Sequence, residues 1–155
     1  MEATTQSVVY QGNTISDIKL AAKTTSNGLQ IDGSIAHLKS SSFDLYNSRV
    51  SAVALNNKIN FSVGTDDAKG KNKYFIAGLV SQPTSGTYAI ELKPDSLLLN
   101  YQRWSVSSNN RITIAPDDIV ASNFVLQNGD QRLSINSPDS RGKQLLVVLH
   151  VVVHG

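Results

Sequence analysis

The sequence predicts an all-β chain folded as an antiparallel meander with one apolar face, and three observations predict it. Apolar and polar residues alternate with period two in one segment after another. Clusters rich in Asn, Gly and Pro separate those segments. No window combines a helix cap with apolar residues at the three- and four-residue spacing of an amphipathic helix.

Taken in order, the alternating segments are Ile18, Leu20 and Ala22; Leu29, Ile31 and Ile35, with Gly33 keeping the parity; Ile59, Phe61 and Val63; Tyr74, Ile76 and Gly78; Tyr88, Ile90 and Leu92; Ile112 and Ile114; Phe124 and Leu126; Leu133 and Ile135. Ser, Thr, Asn, Lys and Gln stand opposite, as Lys58, Asn60 and Ser62 do. Each segment therefore reads as a strand with one wet and one apolar face.

The turns fall at SNG (Ser26–Gly28), LNNK (Leu55–Lys58), DDAKGKN, QPTSG, SSNN, APDD, QNGD and SPDSRG. Asn27-Gly28 and Asn128-Gly129 are strong hairpin signals, because a type I′ turn needs positive φ at both central residues. One stretch breaks the alternation: KPDSLLLNYQRWSV, Lys93–Val106, where three leucines run together ahead of Tyr101 and the single tryptophan, Trp104. Leu97 and Leu98 are expected to be shielded from water there, at a place where both faces of the sheet are covered.

A chain of 155 residues fits one domain, and a compact chain of this size buries roughly 70% of its unfolded surface. Residues 1–13 read as a disordered or non-native start, 14–137 as the β-sheet domain, and 138–155 as an irregular apolar tail. In that tail LLVVLHVVVHG loses the alternation, which raises the question of non-native sequence over 144–155. It is far shorter than the ~20 residues of a membrane-spanning helix. MEATTQSVVYQGNT has neither a basic start nor a long apolar run. The chain reads as a piece of something longer.

Charged residues make up only 17% of the chain and the net charge is +2, so nucleic acid as a partner has no electrostatic footprint. The basic cluster KGKNKY, Lys69–Tyr74, follows Asp66 and Asp67 and reads as a solvated turn. With no Cys, disulfides, thiolate metal sites and cysteine nucleophiles are excluded.

Candidate chemistry is sparse. His150 and His154 stand four apart, but on a strand that spacing separates them by more than ~13 Å, and no carboxylate joins them. His37 reads as an isolated exposed polar residue. The pairs Asp66-Asp67 and Asp117-Asp118 have the composition of a glycosidase dyad, yet they lie beside Gly or Pro, where Asp serves turns. Asn60-Phe61-Ser62 is a sequon within a predicted strand. No nucleophile elbow, phosphate loop or zinc-binding helix motif occurs. The chain is not expected to be an enzyme, nor to need a cofactor or metal. Tyr74, Tyr88, Tyr101 and Trp104 could form a platform for sugar rings, giving a carbohydrate-binding or adhesive β-sandwich as the alternative function.

An apolar sheet face must be hidden by a second sheet, a partner or a ligand. Period alone leaves a closed sandwich and an open gutter as the two solutions, the sandwich being the commoner.

Three stretches carry a resemblance: NNKINFSVGTDDAKGKNKYFIAGLV, GTYAIELKPDSLLLNYQRWSVSSNNRITI and IVASNFVLQNGDQRLSINS. Leu92, Pro94, Asp95, Leu97–Leu99, Asn100, Tyr101 and Trp104 stand in the order of a Leu-x-Pro-Asp, Leu-Leu-Leu-Asn-Tyr, spacer, Trp pattern, and Leu133–Asn136 closes it. From about Asn56 to Ser137 the chain resembles the TamB-like (translocation and assembly module) proteins of Bacteroidetes. From Thr14 to Leu55 it merely alternates, and after Pro138 the likeness fails.

The resemblance implies a periplasmic segment of an envelope protein anchored in the inner membrane. It implies an extended, curved, taco- or gutter-like sheet whose apolar groove conducts lipid, assists outer-membrane protein assembly, or does both. The expected partners are phospholipid acyl chains and an outer-membrane assembly protein. On that reading the groove is lined by Ile18, Leu20, Ile31, Ile59, Phe61, Val63, Ile90, Leu92, Ile112, Ile114, Phe124 and Leu126. Free sheet edges would also let the piece associate with itself edge to edge.

Overall fold

The computed structural model describes residues 1–11, 13–138 and 146–150. Thirteen strands and no helix occur among them, hydrogen-bonded as one antiparallel meander that does not close into a barrel. The strict period of two leaves little choice, since it gives strands an apolar face and gives helices none. The chain divides into two compact units, Met1–Ile76 and Ala77–Gly155.

The first unit holds β1 (Glu2–Tyr10), β2 (Asn13–Thr25), β3 (Gly28–Lys39), β4 (Asp44–Leu55), β5 (Lys58–Asp66) and the start of β6 (Asn72–Thr84). The start expected to be disordered is thus the first strand, paired with β2 from Glu2↔Ala21 to Tyr10↔Asn13. Its Thr, Val and Tyr residues favour extended backbone, although its alternation is too polar to announce a strand. Successive hairpins then set β3 against β2, β4 against β3 and β5 against β4.

The hairpin chemistry differs from expectation. Asn56 and Asn57 both have positive φ, 50° and 59°, so the Leu55–Lys58 turn is the one built like type I′, and Asn100 and Tyr101 (49° and 69°) repeat the arrangement. At SNG the pair Thr25↔Gly28 closes the loop, leaving Ser26 and Asn27 as its tip and only Gly28 at positive φ, 109°. At QNGD the pair Asn128↔Gln131 closes the loop and Gly129 carries the positive φ. In each case the glycine is needed one position away from where a type I′ turn would put it.

In the second unit β7 (Thr87–Leu99) changes partners along its length. Its first half pairs with β9 (Arg111–Ala115) through Tyr88↔Ile114 and Ile90↔Ile112, and β9 pairs with β10 (Asp118–Ser122). Its last residues pair with β8 (Gln102–Val106) through Leu97↔Trp104, and β8 leads to β11 (Phe124–Asn128), β12 (Gln131–Asn136) and β13 (Leu146–His150). The exchange falls at Pro94, which has no N–H to give a ladder, and at Asp95, whose φ is 57°.

One residue bridges the exchange. Asn110 is fully buried; its Nδ2 donates to the Leu92 carbonyl (2.8 Å) and the Ser107 carbonyl (2.7 Å), and its Oδ1 accepts from the Leu92 N–H (2.7 Å). A side-chain amide thereby extends the β7–β9 ladder one step beyond β9. The two branches meet again where Ser137 N–H donates to the Ala121 carbonyl at 2.8 Å and Ala121 N–H to Ser137 Oγ at 3.0 Å.

Among the described residues, the buried apolar side chains all belong to this unit and come from both branches: Ala77, Ala89, Leu92, Leu97, Val106, Ala121, Phe124 and Leu126. Leu97 is buried as expected, Leu98 is half-buried opposite Arg103, and Leu99 is exposed at the turn. The tail expected to be irregular supplies β13, paired with β12 from Arg132↔His150 to Asn136↔Leu146. The remainder of the tail lies outside the described residues.

Two substitutions test this construction. A Cβ on Gly28 would lie 2.2 Å from the Ala54 carbonyl oxygen, whereas one on Gly70, also at positive φ, meets nothing within 4 Å. Gly28→Ala should therefore cost well over the ~1 kcal/mol expected of Gly70→Ala, read as the difference in urea midpoint. Asn110→Ala should cost about 2–4 kcal/mol, because it strands the buried N–H and C=O of Leu92. A midpoint unchanged within error would remove the bridging role.

Candidate functional site

The register of the first unit sorts its side chains onto two faces, because residues directly opposite in neighbouring strands share a face. One row runs Ala3, Leu20, Gly33, Val50, Val63; a second runs Ala22, Ile31, Ala52, Phe61; a third runs Leu29, Ala54, Ile59; and Ile18 pairs with Ile35. The six groove residues expected in this unit, Ile18, Leu20, Ile31, Ile59, Phe61 and Val63, therefore lie on one face. Val50, Ala52, Ala54 and Ala3 join them.

That face is open. Leu20 keeps 43% of its surface accessible, Val50 45%, Ile59 41% and Val63 38%. The buried residues among those described in the unit are Gly64, Thr65 and Asp66, none of them a large apolar residue. A hollow of about 480 Å³ sits over the first row, floored by Gly33 between Leu20 and Val50 and bounded on one side by Ala3 of β1. Gly33 is what makes it deep: a Cβ there would meet the Leu20 side chain at 3.8 Å and Val50 Cβ at 3.9 Å, ordinary contact distances.

The opposite face is polar and paired. Arg49 forks onto Asp66, with both N–H···O distances 3.1 Å and the Asp66 carboxylate buried. Gln30 Nε2 donates to Asp32 Oδ2 at 2.7 Å, and Ser51 Oγ donates to Asp32 Oδ1 at 2.8 Å. A second hollow of about 370 Å³ follows β3 on this side, over Ser34 and Ala36, between Asp17 and Lys19 of β2 and Asn47 and Arg49 of β4. Asp17 and Asn47 both have positive φ, 51° and 47°. They stand at the one row that the β1–β2, β2–β3 and β3–β4 ladders all skip.

The other expected groove residues belong to the second unit and fall into two groups. Ile90 pairs with Ile112 and Tyr88 with Ile114, all half-buried or exposed, whereas Leu92, Phe124 and Leu126 keep only 8% of their surface and belong to the buried set.

Several polar residues have different settings from those expected. His37 is not isolated: it stacks on Tyr46 with ring centroids 4.3 Å apart, and its Nε2 lies 2.5 Å from Asp44 Oδ1. Asp66 ends a strand instead of lying in a turn, while Asp67 does serve the turn, its Oδ1 accepting from the N–H groups of Lys69 and Lys71 at 2.9 Å. Asp118 opens β10. Tyr88 and the residue opposite Trp104, Leu97, are nine positions apart on β7. His154 and the side chain of His150 lie outside the described residues.

The His37 hydrogen bond holds the Asp44 carboxyl below its ordinary value of 3.8. A depressed carboxylate contributes stability above its unfolded value, and that contribution is lost as pH falls below 3.8 through the folded value. In His37→Phe, which keeps a ring to stack, the Asp44 carboxyl should titrate closer to 3.8, observed by carbon NMR. An unchanged titration would mean that the hydrogen bond does not control it.

Protein families, curated proteins and solved structures were compared with this chain and none matches it.

Proposed function

We propose that this chain is a non-enzymatic segment of a cell-envelope protein, of the TamB-like kind, whose first unit holds acyl chains on an open apolar sheet face. The observation that carries the reading is the row Ala3, Leu20, Gly33, Val50, Val63: aligned across five strands, hollowed at its glycine, and exposed. Soluble domains rarely leave a contiguous apolar face of this kind without an occupant.

An aliphatic chain suits such a surface because it needs no hydrogen-bond partner. Each buried methylene contributes ~0.8 kcal/mol, and no directional bond fixes its position along the row. Acyl chains are therefore held and yet free to shift in small steps, which is what a lipid conduit in the periplasm requires. The polar opposite face, with Arg49–Asp66 and Gln30–Asp32–Ser51 satisfied internally, faces water.

Purified chain extracted with organic solvent should yield phospholipid by mass spectrometry, and the stripped chain should bind a fluorescent fatty acid. Gly33→Leu fills the hollow without a backbone clash, and Phe61→Asp places a charge in the second row. Each should weaken fatty-acid binding by more than about tenfold, the equivalent of two methylenes' contacts. Full-strength binding in variants with an unchanged circular dichroism spectrum would sink the reading.

A further inference from the structure

We infer that a bulge shared by β2, β3 and β4 carries the apolar face of the first unit past Asp17 and Asn47. Ile15, Leu38 and Leu45 thereby extend the site and fit it to acyl groups as long as a membrane-lipid tail. The fit to a lipid tail rests on the acyl-chain reading, whereas the continuity of the face does not.

On β5, Gly64 and Asp66 are two apart and share a face, and their partners on β4 are Arg49 and Tyr46. Three steps of β4 are thus set against two of β5, which is the count of a bulge. Tyr46 therefore shares a face with Arg49, although regular alternation would oppose them. The Arg49 fork onto Asp66 fixes that side as the polar one. The pairs His37↔Tyr46 and Ser16↔His37 carry the same shift into β3 and β2, and the His37 ring stacks on Tyr46 with Asp44 beside it. The shift falls at the row of Asp17, Ala36 and Asn47, which the β2–β3 and β3–β4 ladders omit and where Asp17 and Asn47 take positive φ.

Beyond the bulge, the row that returns to the apolar face is Ile15↔Leu38↔Leu45, all three half-buried. With unbroken alternation these three would lie on the polar face. Ser16, His37 and Tyr46, with the Asp44 carboxylate, would then stand across the path of an acyl chain. Between the hollow and the new row lies Ile18↔Ile35↔Ser48, whose one hydroxyl, Ser48 Oγ, is buried. Val50, beside the hollow, and Leu45 are five positions apart on β4, roughly 15 Å. A lipid tail spans the same ~15 Å, half of a ~30 Å hydrocarbon core. A tail seated over Gly33 therefore reaches Leu38 and Leu45 without crossing a polar row, and a chain half as long does not.

Face and ligand are tested separately on the full chain. The chain has no Cys, so engineered pairs can be bridged by a short bismaleimide without lipid. Ile35→Cys with Leu45→Cys, on one face, should bridge within the chain. Ile35→Cys with Tyr46→Cys, nearer along the strand but on opposite faces, should not. The reverse ranking means that alternation runs straight through, and it overturns the inference. Binding is read by displacement of a fluorescent fatty acid. Leu38→Asp should weaken hexadecanoate by at least about tenfold and leave octanoate within about twofold. Ser16→Asp, next to Ile15 but on the polar face, should change neither. Where Leu38→Asp loses its strand circular dichroism, Leu45→Gln takes its place with the same expected direction. Hexadecanoate bound at full strength by the folded variant also overturns the inference. If the wild type binds neither acid while the Leu45 pair bridges, the continuous face stands and the acyl-chain reading falls.

Discussion

Strand pairing in the first unit satisfies the backbone without supplying a second layer, and that constraint governs the rest of the molecule. An antiparallel ladder pairs backbone donors and acceptors with its neighbours, but a sheet still has to place its apolar face somewhere. In Met1–Ile76 no large apolar side chain is buried among the described residues; the row through Gly33 lies open and the row through Ala52 is half-buried. What holds these strands is register: cross-strand apolar contacts along one face, and the Arg49–Asp66 fork with the Gln30–Asp32–Ser51 chain along the other. Each such pair contributes only some tenths of a kcal/mol to about 1 kcal/mol, so stability here is spread thinly across many rows.

The second unit solves the same problem by branching. β7 serves β9 with its first half and β8 with its end, and the two branches meet again at Ala121 and Ser137. The apolar residues of both branches are thereby buried. A branching strand leaves backbone groups without a partner at the fork, and the Asn110 amide takes up those of Leu92. This accounts for the broken alternation at KPDSLLL. Pro94 and Asp95 interrupt the ladder, and the leucines that follow start a second partnership in which Leu97 is buried and Leu98 half-buried.

Much of this was legible in the chain because period two admits one kind of regular structure. The parity of Ile18 and Leu20, of Ile31 and Gly33, and of Ile59, Phe61 and Val63 put all of them on the face where they are found. β4 was harder to read, since in RVSAVAL the apolar residue Val53 lies on the polar face and small alanines share the apolar one. β1 was misjudged because Thr, Gln and Ser dominate its middle, although such residues are common on a solvated edge. The turns misled in a specific way: Asn-Gly signals a turn but not which of its positions takes the positive φ. His37 looked isolated because its partners, Asp44 and Tyr46, become neighbours only through the hairpin that pairs Lys39 with Asp44.

The sequence by itself determined the fold class, the strand parity and therefore which side chains share a face, because those depend on local alternation and turn chemistry. Tertiary structure alone decided which apolar faces are covered. Phe61 and Phe124 stand in the same alternating pattern, yet Phe124 is buried and Phe61 only partly so. The physical reason is that coverage depends on strands distant in sequence, and period two is identical in a strand facing a packed interior and in one facing an open groove.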